Sequence, residues 1–291
     1  MLAGARDLGY RLAVIASRSF PARRALRALV SPYRHLADRS GRVVGTADRL
    51  LSVVRVPGAY RRRSVAALGE FFFDVVDSQG VSLFVEAGAK EAAASQRALG
   101  LPGVRRAIAF EANPYTYRRF AGGVATTGVE YENLALDRGP GTTSFYVRLT
   151  HDGRPQADGQ GSLHRRTDHP SGHEEVEIEA DSLDRLVADR TDDRVAIWMD
   201  VEGATANVLD GAAELLDVTD ALLVEVETSP FWAVDQWLVG DVVNAVAAHG
   251  LVPVARDLQS ADQFNVVFVR RELLDDPGLA WAHARWRRSL G

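Results

Sequence analysis

The chain has 291 residues, of which 46% are hydrophobic and 25% charged, and its formal net charge is −5. This is an ordinary globular composition, long enough for one substantial core and an added module. The lack of any cysteine excludes a disulfide framework and a thiolate metal site. No apolar run approaches the roughly 20 residues of a membrane span. LAVIA at 12–16 is too short for the apolar core of a signal peptide, so the expected location is cytoplasmic.

Charge is distributed unevenly. Residues 1–63 hold 14 Arg and no Lys, against three Asp and no Glu. The rest of the chain is therefore strongly acidic, and the two parts invite different roles. Arg alternates with Ala, Leu and Val at three- and four-residue spacing through RSFPARRALRALVSPYRHLADR, which predicts helices. Residues 1–79 read as a basic helical N-terminal extension and 80–291 as the main domain. The apolar positions Leu26, Leu29, Val30, Leu50, Leu51, Val53 and Val54 need cover, from the main domain or from a second subunit in a homodimer. The arginines are either solvated or face an anionic membrane or a lipid-linked acceptor. No nucleic-acid recognition motif accompanies them, so no nucleic-acid partner is expected.

From residue 80 the pattern alternates strand and helix. Strands are predicted at 82–87, 106–112, 129–136, 195–200, 221–227, 251–257 and 264–270. Helical stretches lie between most of them, including EGATANVLDGAAELLD and QWLVGDVVNAVAAHG. The short LQSADQ between the last two strands predicts an antiparallel hairpin. Residues 150–175, THDGRPQADGQGSLHRRTDHPSGHEE, read as a long polar loop or lid. It carries His151, His164, His169 and His173, without regular metal-ligand spacing.

The most informative stretch is VSLFVEAGAKEAAAS at 81–95, followed by RAIAFEANP at 106–114. A strand ending in Glu86, a turn with Gly88, a helix and a second strand ending in Glu111 make one βαβ step. This is how an α/β protein holds an adenosine: backbone N–H groups approach at the turn, and the second acid takes the ribose hydroxyls. A dinucleotide site would want G-x-G-x-x-G, and only Gly88 is present. A single glycine suits S-adenosylmethionine (SAM), which brings no pyrophosphate to the helix N-terminus.

The blocks FVEAGAKEA, AFEANPYTYRRF, NLAL (133–136), SLDRL (182–186), MDVEGATANVLDGA (199–212) and LLVEVE (222–227), in this order, resemble the FkbM-type methyltransferases. The resemblance covers 81–270. It implies a class I Rossmann-like α/β fold: a seven-stranded, mostly parallel sheet closed by a C-terminal antiparallel hairpin. It also implies SAM as cofactor and O-methylation of a sugar, glycoconjugate or natural product. Three residues of the cofactor loop depart from the family pattern: Glu86 replaces Asp, Lys90 replaces Asn and Ala92 replaces the second Gly. Ala92 is harmless if its φ is helical and damaging if φ must be positive. A catalytically degenerate protein with a binding or assembly role is the alternative.

Glu86, Gly88, Lys90, Glu111, Asn113 and Asn133 are the candidate cofactor residues. Asp200 and Glu202 stand where the fourth strand passes into its helix, at the ligand edge of such sheets. With Glu225 and His164 they are the candidates for acceptor binding or for the base that takes the hydroxyl proton. No metal is assigned, although Asp200 and Glu225 could share a divalent ion.

Overall fold

The computed structural model describes residues 58–157, 159–166, 172–188, 194–232, 236–260 and 262–290. The helices expected within 1–57, with their apolar stripe, lie outside these residues, as does His169.

The main sheet has seven strands in the order β3-β2-β1-β7-β8-β10-β9. They are β1 (Leu83–Ala87), β2 (Arg106–Phe110), β3 (Glu130–Glu132), β7 (Val195–Met199), β8 (Thr219–Glu227), β9 (Leu251–Arg256) and β10 (Gln263–Arg270). The first five run parallel. Strand β10 lies antiparallel between β8 and β9, so the predicted hairpin forms.

Both faces of this sheet are buried, as parallel strands require. Phe84 faces one layer of side chains, and Leu83, Val85 and Ala87 face the other. Helices α1 (Gly58–Ser78) and α8 (Pro277–Ser289) cover the Phe84 face. Three consecutive phenylalanines in α1 are all buried. Phe71 meets Trp286 at 5.5 Å between ring centroids, and Phe73 stacks on Phe84 at 5.9 Å and on Trp198 at 5.8 Å.

The other described helices are α2 (Ala93–Leu99), α3 (Pro114–Val124), α4 (Leu183–Leu186), α5 (Thr205–Asp210), α6 (Ala213–Val218) and α7 (Val239–Ala248). Residues 202–217 read as one helical stretch, and they break into α5 and α6 at Gly211. The cause is close packing: a Cβ on Gly211 would lie 2.2 Å from the Asp137 carbonyl oxygen. The Asp184 carboxylate then accepts from the Glu214 and Leu215 N–H groups and restarts the helix.

Two other sequence expectations need correction. The single strand at 129–136 is two, because the chain leaves the main sheet at Asn133 and pairs β4 (Ala135–Leu136) elsewhere. The expected loop before SLDRL is bracketed by strands: β5 (Gly141–Arg148) and β6 (His173–Asp181) join β4 in a second sheet. In β6 the side chains of Ile178 and Ala180 point inward, while Glu175, Glu177 and Glu179 are exposed. This small sheet has its own core of Ala135, Phe145, Val147, Ile178 and Ala180. It carries residues 155–157 and 159–166 across the carboxyl ends of the main strands.

Candidate active site

The turn after β1 takes its shape from backbone conformation. Gly88 has φ 78°, and a Cβ there would sit 1.9 Å from the Asp200 carbonyl oxygen. Only glycine allows the β1 and β7 ends to approach this closely. Lys90 and Ala92 also adopt left-handed conformations, with φ 48° and 54°. Asn and Gly suit such positions, and an L-residue with a longer side chain costs roughly 1–2 kcal/mol there. The resemblance places Asn and Gly at these two positions, so this chain holds the same turn with less suitable residues. Surrounding bonds impose the conformation. Glu111 accepts from the Lys90 N–H at 2.7 Å, the Ala92 N–H reaches the Ala89 carbonyl at 2.6 Å, and the Tyr131 hydroxyl donates to the Lys90 carbonyl.

Replacing Lys90 by Asn should therefore stabilise the protein by about 1 kcal/mol, raising Tm by about 2–4 °C. Ala92→Gly should be nearly neutral, because relief of strain is offset by losing a fully buried methyl worth about 0.8 kcal/mol and by the added freedom of the unfolded chain. Scanning calorimetry of the two variants checks both. A destabilised Lys90→Asn protein would contradict the strain argument.

Glu86 is buried and points under the turn. It accepts from the Ser95 N–H at 2.7 Å and the Ala94 N–H at 3.4 Å, anchoring the start of α2. Burial raises its pKa to about 7, against the opposing pull of these bonds. Glu111 ends β2 and is equally buried. One oxygen takes the Lys90 N–H and the other the Asn113 N–H, each at 2.7 Å. Its pKa is also pushed up to about 7 by burial, with the Asp200 charge adding to the rise.

Asn113 caps α3: its Oδ1 accepts from the Tyr115 and Thr116 N–H groups, and its amide donates to the Gln156 carbonyl at 3.0 Å. Asn133 donates to the carbonyls of Glu111 at 2.7 Å and Ala112 at 3.2 Å, tying the exit of β3 to the end of β2.

The carboxyl end of β7 supplies the acids. Asp200 is solvent-accessible within a crevice, yet protein atoms surround it and raise its pKa by desolvation. Glu202 follows in a left-handed turn, φ 48°, ahead of Gly203 at φ 83°. Trp232 packs so closely on Gly203 that a Cβ there would lie 2.3 Å from the ring. Glu225 is a buried residue of β8. The oxygens of Asp200, Glu202 and Glu225 lie within 4.8 Å of one another.

Three carboxylates this close cannot all be ionised without a compensating cation or proton. Burial first, and then the Asp200 charge, push Glu225 up to about 10. Desolvation raises Asp200 as well, against the opposing pull of the neighbouring Glu225 carboxyl. Gln263 and Gln259, from the β9–β10 hairpin, donate to the two oxygens of Glu225 at 2.6 and 3.4 Å.

Residues 155–157 and 159–166 run over this crevice. The Arg119 guanidinium donates to the Ala157 carbonyl at 3.1 Å, and the Ser162 hydroxyl donates to the Glu202 carbonyl at 2.6 Å. His164 Nε2 lies 3.3 Å from Asn207 Oδ1, and the Asn207 amide reaches Asp137 at 2.8 Å. His164 thus joins the rim of the site through Asn207. His151 sits in an exposed turn after β5, and His173 opens β6.

Sequence reading passed over Ser162, Asn207, Gln259 and Gln263. Ser162 and the glutamines reach the site by long-range folding and leave no local pattern. Asn207 does have a visible signal: it stands in the MDVEGATANV block, one helical turn after Gly203.

Together these elements line an open crevice. Gly88, Glu111, Ala112, Leu134, Gly159 and Asp200 are among its lining residues. The sequence profile described as Methyltransferase FkbM domain matches residues 86–286. The chain belongs to the FkbM methyltransferase family. It is a methyltransferase whose cofactor is SAM. No curated protein matches the chain.

Solved structures resemble it loosely. The precorrin-6y C5,15-methyltransferase from Geobacter metallireducens GS-15 is 13% identical with a TM-score of 0.35, over 68% of this chain and 87% of that one. The N-methyltransferase NodS from Bradyrhizobium japonicum WM9 is 11% identical with a TM-score of 0.37, over 73% and 97%. An O-methyltransferase from Bacillus cereus, in complex with SAH, is 11% identical with a TM-score of 0.37, over 81% and 99%. At these scores the likenesses carry no argument about chemistry.

The FkbM crevice fits its cofactor on its own terms. A carboxylate offers about four acceptor positions, and the two backbone N–H groups on Glu111 leave capacity for a ribose diol. Ala112 and Leu134 offer apolar surface beside it for an adenine ring.

Proposed function

We propose that this FkbM protein transfers a methyl group from SAM to a hydroxyl oxygen of a sugar, glycoconjugate or natural product. The observation that carries this reading is the cluster of Asp200, Glu202 and Glu225, with Asp200 lining the crevice. An alcohol is a poor nucleophile until its proton is taken, and a positioned carboxylate can take it. SAM supplies an electrophilic methyl on a sulfonium, and the C–O bond forms as the C–S bond breaks. Asp200 accepts the hydroxyl proton. Glu225 lies beside Asp200, and Gln263 holds Glu225. Glu111, Asn133 and the turn of Gly88 and Lys90 would hold the nucleoside half of the cofactor. The cytoplasm, where SAM is available, is the compartment this reading implies.

The degenerate reading draws on Lys90 and Ala92. Ala92 takes the positive φ that is unfavourable for it, yet both residues keep the left-handed shape of the turn, and Gly88 of that turn lines the crevice. The preserved turn supports a working enzyme over the degenerate reading.

The test has two parts. Titration calorimetry with SAM, NAD and ATP should show binding of SAM alone. Labelled methyl transfer to a panel of glycosides, polyols, phenols and amines should label a hydroxyl. Binding without transfer to any acceptor class would favour the degenerate protein, and transfer to an amine would refute the oxygen assignment.

A further inference from the structure

Helices α1 and α8 form an antiparallel pair on one face of the sheet. Gln79 at the end of α1 donates to Asp276 at the start of α8 at 2.8 Å, and Phe71 meets Trp286 further along. The pairing sorts charge along its length. Asp77 and Asp276 lie at one end, and Asp74 pairs with Arg285 between the helices at 2.5 Å. Arg62, Arg63, Arg287 and Arg288 are exposed toward the other, where α1 begins and α8 finishes. None of these four arginines forms an ion pair among the described residues.

The same outer layer carries the two exposed large apolar side chains among the described residues: Trp281, 53% exposed, and Val65, 37% exposed. Each stands beside arginines at helical spacing. Trp281, Arg285 and Arg288 occupy positions i, i+4 and i+7, with Arg285 lying 5.7 Å over the Trp281 ring. Arg62 stands three residues before Val65. In sequence this basic end continues directly into the Arg-rich residues 1–57.

We propose that the outer face of this helix pair docks on an anionic lipid surface. Arginines at a membrane surface gain from the negative leaflet. An exposed indole and an exposed valine on arginine-bearing helices are what an interfacial helix inserts at headgroup depth. A nucleic acid or a free phosphate would use the arginines and leave Val65 and Trp281 without a role. Docking would hold the acidic main domain against a surface from which an acceptor with a lipid tail could be presented. This proposal does not depend on which atom is methylated.

The test is co-sedimentation of the full chain with phosphatidylcholine vesicles, with and without phosphatidylserine. Binding to the phosphatidylserine vesicles is expected, falling as salt is raised through the Debye range. At about 1 kcal/mol per arginine, Arg287→Gln with Arg288→Gln should weaken binding about 30-fold. Trp281→Ala should weaken it too, with the salt dependence kept. Both sites are exposed, and unchanged thermal unfolding would confirm that the variants are folded. Equal binding to neutral vesicles, no binding to either, or unweakened binding by the double variant would overturn the proposal. So would tight binding to single-stranded RNA or free phosphate without vesicle binding.

Discussion

Glu111→Ala should weaken SAM binding about 30- to 1,000-fold. Two charge-assisted hydrogen bonds from a ribose diol are worth on the order of 2–4 kcal/mol. The geometry adds a second consequence. Glu111 also accepts from the N–H groups of Lys90 and Asn113, so the substitution leaves two backbone donors without their partner. The variant should therefore lose stability as well as affinity, and Glu111→Gln, which keeps an acceptor, should lose less of both. Unchanged affinity in a folded Glu111→Ala protein would refute the placement. Protonation offers an independent readout. Free Glu111 titrates at about 7, while a bound sulfonium and ribose favour the ionised carboxylate. SAM binding just below neutral pH should release a proton, visible as a heat that depends on the buffer's ionisation enthalpy. SAM affinity should rise as pH passes upward through 7.

Asp200→Asn should leave SAM binding intact and lower turnover by about 100-fold or more on any acceptor the enzyme methylates. The reason is the asymmetry within the carboxyl pair. Burial and the Asp200 charge push Glu225 up to about 10, and Asp200 is the member that lines the crevice, where a hydroxyl could reach it. Its own pKa is raised by desolvation, so turnover should climb with pH as Asp200 ionises and then level off. Glu225→Gln puts a donor beside Asp200 and should retain most activity, whereas Asp200→Asn removes the base itself. If Asp200→Asn is active and His164→Ala is not, the base belongs to the strap at 159–166. A chelator separates the remaining arrangement. The oxygens of Asp200, Glu202 and Glu225 are close enough to hold a cation, and activity that survives excess chelator would leave protonation as the means of holding the acids together.

The N-terminal half of the site was the most legible from sequence. Glu86, Gly88 and Glu111 sit at strand ends whose apolar runs are unmistakable, and one βαβ step fixes their relation. Their partners could not be read. Nothing local to Glu86 says that its carboxylate is taken by Ala94 and Ser95, or that both oxygens of Glu111 hold backbone N–H groups. The sign of φ at Ala92 was open as well, because the bonds that hold it left-handed come from the surrounding fold and not from alanine's own preference.

Residues 137–181 show the opposite case. The strict alternation of Glu with Val, Ile and Ala at 175–180 is a half-buried strand written plainly, and the Gly/Asp-rich run before it obscured the signal. Strand β4 has two residues, too few for any period to register.

Sequence alone determined the fold class, the order of the main strands and the family, because these follow from apolar periodicity and from short motifs whose residues are neighbours along the chain. Only the tertiary structure decided which acids meet. Asp200 and Glu225 belong to adjacent strands, and the glutamines that orient Glu225 arrive from a hairpin more than 30 residues later. A carboxyl pKa depends on burial and on charges a few ångströms away, and neither is a property of sequence distance.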